Sequence, residues 1–333
     1  MHAADISPMR IAVLGAGGLG SAAARMLSQK RELRLDALVD SRGFAFDPDG
    51  LDAEAVLHAA SERGGVAFAP KTGAPSDDPI GEIVRRAEAF DGVFLALPNL
   101  PNDFVPGVAA RFAAGGYRGV MTDALKRTSA AERVLKLDEL FKTAEIVYIV
   151  GCGATPGLLT AAANLAAQSF AEVESVRIWF GVGIQNWEAY RATIREDIAH
   201  MPGFDVESAR RLTDEEVAEL LDERGGKLIL EEMEHADDAI LEAAGVVSRD
   251  CVSVGGVVDT RSSQKPVSTS VVVTGVTFEG RRSSHTFTLG DETSMAANVC
   301  GPAFGYMKAG RRLHEIGAYG AHSSATVMPR FVR

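Results

Sequence analysis

Cysteine is scarce in this chain: three in 333 residues, Cys152, Cys251 and Cys300. The number is odd, with no CxxC and no Cys/His spacing of a metal site, so neither a disulfide framework nor a structural zinc is expected. Positive charge is in deficit too. The 34 Lys and Arg against 45 Asp and Glu give a formal net charge of -11. Nucleic acid and anionic membrane surfaces need clustered cations, and both are excluded as main partners. Long apolar runs are also missing; Gly or a charge breaks each of them well short of the roughly 20 residues of a bilayer span. Met1-His2-Ala3-Ala4-Asp5 shows no basic segment leading into an apolar one, so no signal peptide is read there. The seven histidines show no HExxH or similar spacing, and no metal is expected. These absences leave a soluble cytoplasmic protein, 46% hydrophobic and 24% charged, long enough for two domains.

What is present is a strand–helix alternation. Residues 10–14, 35–39, 66–69, 92–97, 119–122 and 146–150 read as strands. Helical patterns at 19–28, 52–63, 80–89, 104–114 and 130–142 separate them. Such alternation predicts α/β architecture with a doubly wound parallel sheet. After Cys152 the texture changes: a helix at 158–169, a strand at 173–183 and a charged helix at 213–223. Residues 246–288 are rich in Val, Thr and Ser, with alternating runs at 268–277 and 284–289. They predict a mixed or antiparallel sheet in a second, α+β domain. A last helix at 293–313 needs an apolar surface to cover. The expected organisation is a first domain over 1–151, a substrate domain over 152–292, and a C-terminal part, 293–333, packing back on the first.

Gly15-Ala16-Gly17-Gly18-Leu19-Gly20 matches G-x-G-x-x-G, with an apolar strand before it, an Ala-rich helix after it, and Asp40 twenty residues beyond Gly20. In that setting the string predicts a Rossmann turn for NAD or NADP. Gly15 permits the tight turn, Gly17 the approach of the pyrophosphate, and Gly20 the close packing of helix on strand. The helix N-terminus faces the phosphates. Asp40 is expected on the adenosine ribose hydroxyls, which favours NAD; Ser41-Arg42 follows it, and Arg42 suits the 2′-phosphate of NADP. Leu97-Pro98-Asn99, Asp123 and Lys126 lie at strand ends, where the cofactor crevice of such sheets runs. Ordinary solvated loop residues are the alternative for Asp123 and Lys126.

The Rossmann start, Asp40-Ser41-Arg42, the string Val150-Gly151-Cys152-Gly153-Ala154-Thr155-Pro156-Gly157 before an Ala-rich helix, and Gly301-Pro302-Ala303-Phe304 are similar to the saccharopine dehydrogenase-like oxidoreductases. The resemblance is to the carboxynorspermidine and lysine 6-dehydrogenase branch, which has a Cys-Gly-x-x-Pro-Gly string at this place. It implies NAD(P)-linked oxidation of an amine or amino acid, or the reverse imine reduction. Where those relatives read Phe-Asp-Pro-Gly, this chain has Ala154-Thr155-Pro156-Gly157.

Candidate chemistry falls on few residues. Cys152, just before a helix, is expected to have a lowered thiol pKa, which would suit an acylating aldehyde or semialdehyde dehydrogenase nucleophile; a small packed thiol is the alternative. Arg191 and Arg195, four apart on one helix face, suit a carboxylate-bearing substrate; a solvated face paired with Glu188 and Asp197 is the other reading. Lys126 and His200 are the candidate proton-transfer groups. The expectation is an NAD(P)-dependent oxidoreductase of a C–N bond, working on a small molecule as a homodimer. The alternatives are the Cys152 dehydrogenase and a non-catalytic NAD(P)-binding sensor.

Overall fold

The computed structural model describes residues 7–99, 101–185 and 187–333. Along the chain run β1 (Met9–Leu14), β2 (Leu33–Asp40), β3 (Gly43–Phe46), β4 (Gly73–Pro75), β5 (Gly92–Leu95), β6 (Val120–Asp123) and β7 (Val147–Val150). Then come β8 (Glu172–Gly183), β9 (Lys227–Leu230), β10 (Val252–Asp259), β11 (Ser270–Val276), β12 (Arg282–Thr288) and lastly β13 (Gly320–Ser323). The chain divides into two compact units. One takes the residues up to Leu125, Ser129–Gly157 and Ala296–Arg333; the other takes Lys126–Thr128 and Leu158–Met295.

The first unit holds an eight-stranded sheet in the order β13-β7-β6-β5-β1-β2-β3-β4. β1, β2, β5, β6, β7 and β13 run parallel, and β3 and β4 add an antiparallel edge. Every residue of β5, β6 and β7 is buried, as strands covered on both faces require. The strand order reverses between β1 and β5, which makes the end of β1 the switch point where such sheets bind ligands. Helix Met295–Glu315 buries Cys300, Ala303, Phe304, Tyr306 and Met307 in this unit's core, with Phe304 edge-on to Phe94.

Local reasons account for departures from the sequence reading. Residues 66–69, expected as a strand, form a 3-10 turn at Val66–Phe68, because the Val66 amide donates to Asp40 and not to a strand. The expected helix 80–89 ends at Val84 and resumes as a 3-10 turn, Ala87–Ala89. The expected helix 130–142 splits into Thr128–Leu135 and Asp138–Thr143, where the Asp138 carboxylate takes the Ala321 amide of β13. β3 and β4 have no counterpart in the sequence reading. The Asp40 carboxylate accepts the amides of Arg42 and Gly43 and folds the end of β2 back into a hairpin.

The second unit holds a five-stranded mixed sheet, β12-β11-β8-β10-β9, in which β8 pairs parallel with β10 and antiparallel with β11. Helices Arg191–Ile198, Val206–Arg211 and Asp214–Glu223 share its core through Ile194, Ile198, Ala209, Val217 and Leu221. Capping boxes at Asp205 and Thr213 start the last two. Among the described residues no helix is long and apolar enough to cross a membrane.

Candidate functional site

The turn after β1 has the geometry of a dinucleotide cradle, and each glycine has a distinct reason. Gly15 has φ +104°, and a Cβ there would stand 2.2 Å from the Ala96 carbonyl oxygen. A Cβ on Gly20 would stand 1.7 Å from the Gly15 oxygen. A Cβ on Gly17 would meet nothing within 4 Å. Gly15 and Gly20 are therefore fixed by the protein's own backbone, while the space beside Gly17 is open. Gly17 also caps helix Gly18–Leu27 without any side-chain acceptor, so the first amides of the helix are not capped. Ala16, Gly18 and Leu19 line the turn half-buried, and Ser21 Oγ closes it by donating to the Ala16 carbonyl at 2.9 Å. An uncapped helix start beside an open cradle fits the pyrophosphate of a dinucleotide.

At the end of β2 the half-buried Asp40 is oriented by three amides: Arg42 and Gly43 on Oδ1, Val66 on Oδ2 at 2.7 Å. Ser41 and Arg42 are exposed, with the Arg42 guanidinium beside Gly64 and its stem beside Gly65. The chain after β5 leaves Leu97 and Asn99 half-buried and Pro98 exposed.

Asp123 does not line an open crevice. It is fully buried and fastens β6 to the end of β7: it accepts the Gly151 amide at 2.7 Å, the Leu125 amide at 3.0 Å and the Tyr148 hydroxyl at 2.8 Å. Burial pushes its carboxyl up to about 6, against the pull of those three donors. A carboxyl raised above its ordinary 3.8 stabilises the fold below about pH 4 and loses that contribution as pH rises through about 6. The difference is on the order of 3 kcal/mol, at about 1.4 kcal/mol per pH unit. Asp123→Asn is expected to gain stability relative to the wild type as pH rises from 4 to 7, checked by paired denaturant melts; parallel curves at both pH values would contradict it.

The reading of Cys152 as an activated nucleophile is overturned. The thiol is completely buried, and its Sγ donates to the Ile149 carbonyl at 3.0 Å. Burial, then the charge of Asp123, push it well above the ordinary thiol range. The next helix starts only at Leu158, so its N-terminus is not at the sulfur.

In the second unit Lys126 lies in a nest of carboxylates. Its Nζ is 3.1 Å from Asp197 and 3.3 Å from Glu196, both buried, and a fifth of the lysine side chain is exposed. Burial pulls the ammonium pKa down, and the charges of Asp197 and Glu196 more than reverse this, so the net shift is upward. Arg127 pairs with Glu234, and Thr128 Oγ1 donates to Asp238 at 2.9 Å. The Ala236 amide meets the Lys126 carbonyl at 2.8 Å. The three-residue strap 126–128 is thus fastened to 234–238 at each of its positions. His200, half-buried, belongs to the same cluster: burial, then the charges of Arg127 and Lys126, lower its pKa and keep it neutral. Of the three sequence candidates for catalysis, the structure brings together Lys126 and His200 and leaves Cys152 out.

Arg191 and Arg195 are not offered to a substrate as a fork. Asp214, at the start of helix Asp214–Glu223, takes both: Arg195 Nη2 at 2.7 Å and Arg191 Nε at 3.1 Å. Arg195 also donates to the Leu212 carbonyl at 3.0 Å. Sequence reasoning missed Glu196, Glu234, His235 and Asp237 as site residues. Asp197 had a visible signal, since it sits three residues from Ile194 on the apolar face of its helix. An acid there calls for a buried cation.

Residues 1–88 match the Glutamate/Leucine/Phenylalanine/Valine dehydrogenase family. A protein of Haloferax mediterranei, (S)-8-amino-7-oxononanoate synthase BioU, is 42% identical over 350 residues, covering 97% of this chain and 99% of the relative. This chain belongs to the BioU family. Its fold is that of NAD(P)-dependent dehydrogenases. An engineered D-amino acid dehydrogenase bound to NADP+ has a TM-score of 0.58 at 15% identity, covering 96% of this chain and 94% of its own. A DAP dehydrogenase of C. glutamicum in complex with DAP has a TM-score of 0.58 at 18% identity, covering 97% and 94%. The first-unit cradle and the second-unit lysine nest are therefore features of a BioU-family protein on a dehydrogenase scaffold.

Proposed function

We propose that this chain is an NAD(P)-dependent enzyme acting at a C–N bond of an amino-oxo carboxylic acid, of which the (S)-8-amino-7-oxononanoate named for its relative is the type. The observation that carries this reading is Lys126: a protonated amine held between two buried carboxylates, on a chain that also carries a dinucleotide cradle. A nicotinamide cofactor held there would supply the hydride chemistry. The rest falls to the protein's residues. The amides after Gly17 would hold the pyrophosphate, and Asp40, already aimed by three amides, would take the ribose hydroxyls. The ammonium of Lys126 donates a hydrogen bond to the ketone or imine of the substrate and stabilises charge that develops there. An ammonium with a raised pKa acts in this direction, as donor and not as base.

Asp40→Ala is expected to weaken NAD at least about tenfold more than NADP, and Arg42→Ala to do the reverse. Calorimetric titration of both variants with both cofactors checks this; an unchanged NAD/NADP ratio in each would remove Asp40 and Arg42 from the ribose site. For the substrate class, the experiment is cofactor-loaded enzyme mixed with (S)-8-amino-7-oxononanoate against simple amines and amino acids. A change in nicotinamide absorbance with the amino-oxo acid and not with the others is expected. Preference for a simple amino acid would contradict the substrate class and leave the C–N chemistry standing.

A further inference from the structure

The five-stranded sheet of the second unit is covered on one face only. On that face Val176, Ile178, Val258, Val271 and Val273 are buried to 1% or less. Ile194 and Ile198 of helix Arg191–Ile198 join Leu228, Leu230 and Val258 there in one core. Side chains alternate along a strand, so every second residue faces the other way. There Ile229 is 61% exposed, Arg177 and Thr286 are exposed, and Trp179, Val257 and Val272 are half-buried. The register sets them side by side: Val257 opposite Ile229, Arg177 between Ser253 and Val272, and Trp179 between Gly255 and Ser270.

A sheet face made for water carries polar and charged residues at its outward positions. This face lacks the charge. Across the rows of paired residues that contain Ser175, Arg177, Trp179 and Gly181 of β8, one side chain is ionised, that of Arg177, although 24% of the chain is charged. Its guanidinium lies over the Trp179 ring, 5.2 Å from the centroid. The ring in turn lies low over Gly255, where a Cβ would stand 2.7 Å from it. The other positions are Ser, Thr, Gly, Val and Ile. Interface cores have this composition, poor in charge with Trp and Arg gathered at the centre. The size fits as well. Strands of 4 to 12 residues, five of them about 4.8 Å apart with about 3.3 Å per residue, make a flat footprint on the order of 600 Å², close to the roughly 800 Å² of accessible surface that each partner brings to a standard interface.

What fits this face is a second copy of the chain. A two-fold axis lays a patch against itself, so the patch must complement itself. Hydroxyl groups both donate and accept, and apolar side chains carry no sign, whereas a patch of one charge would repel its own image. We propose that two copies stack these open faces back to back across a two-fold axis, as a two-layered sandwich with Trp179 of each near its centre. Helix Arg191–Ile198, which carries Glu196 and Asp197, packs on the covered face and so stays on the outside of the pair.

The test uses the full chain, whose two tryptophans are Trp179 and Trp187. Sedimentation of the wild type at about 10 µM, the weak end for an interface of this size, is expected to give twice the chain mass. In a Trp187→Phe background the emission of Trp179 should move to the red on dilution, over the same concentrations at which the mass halves. Val272→Glu is expected to raise the dissociation constant at least about 100-fold, because the axis brings two unpaired carboxylates into the interface for one substitution. Ile229→Glu, at a position open to water in the single chain, should raise it at least about tenfold and carries the test if Val272→Glu does not fold. Leu165→Glu, at an exposed position of helix Leu158–Ala167, is the control and should leave the dimer intact. A wild type that is monomeric at about 10 µM, the result also expected if a different protein covers this face, overturns the proposal. So does a folded Val272→Glu, or in its place Ile229→Glu, that dimerises as the wild type does. A dimer whose dissociation leaves the Trp179 emission unmoved also overturns it, since its interface then lies elsewhere.

Discussion

Lys126→Gln is expected to abolish measurable chemistry, with a loss of about 10³-fold or more, while the cofactor still binds. The loss has two sources that separate in experiment. Without the ammonium no positive charge meets the substrate's developing charge, and removing one such donor costs about 10²- to 10³-fold in other enzymes. Glu196 and Asp197, 7% and 5% exposed, are also left facing each other with no cation. Breaking a buried ion pair from one side costs about 3–5 kcal/mol, and the partial exposure of Lys126 puts this site at the lower end. The variant should therefore melt earlier. Lys126→Arg keeps the charge and should recover most of the stability. It should not recover the rate, because a planar, bulkier fork cannot place one donor where the ammonium stood. Rate measurements on the folded fraction of both variants check this. Near wild-type rates in Lys126→Arg would reduce Lys126 to a structural cation.

Gly17→Val is expected to raise the dissociation constant of the cofactor by at least about 100-fold, or nearly 3 kcal/mol, and to leave the melting curve unchanged. A Cβ on Gly17 touches nothing in the protein within 4 Å, so the fold has no stake in the substitution. The pyrophosphate needs that space and those amides. Gly20→Val is the opposite case. Its Cβ would stand 1.7 Å from the Gly15 carbonyl oxygen, so the helix cannot stay against the strand and the unit should unfold. Two glycines of one motif thus separate a binding role from a packing role. Titration calorimetry with thermal melts on both variants checks it, and equal destabilisation by the two would contradict the assignment.

The part of the site that local physics determines was legible in the chain alone. A turn that needs φ above zero, a close approach and an open cradle demands glycine at fixed offsets, and the string Gly15 to Gly20 shows it. The β1–helix–β2 unit, the end of β2 at Asp40 and the mixed second sheet followed from periodicity. What tertiary contact decides was not legible. Spacing put Arg191 and Arg195 on one face, but not Asp214, which takes both from the next helix but one. Position after β7 made Cys152 look activated; the five residues between it and the helix, and the core around it, make it inert. The saccharopine dehydrogenase-like resemblance rested on Gly-containing turns, which carry backbone geometry and little about substrate; the full-length relative is a BioU protein. His235 drew no notice in the sequence: Asp237 stands two residues on, but Thr160, which holds that acid, is distant in the chain.

In the proposed reaction this BioU-family chain exchanges hydride between a nicotinamide cofactor and an amino-oxo acid. Its most direct measurement is rapid mixing of enzyme, loaded with NAD(P) or NAD(P)H, with (S)-8-amino-7-oxononanoate, followed by nicotinamide absorbance. A change of at least one equivalent of cofactor per chain is expected in the wild type, and none in Lys126→Gln. Tight binding of cofactor and amino-oxo acid with no absorbance change in either redox state would contradict it.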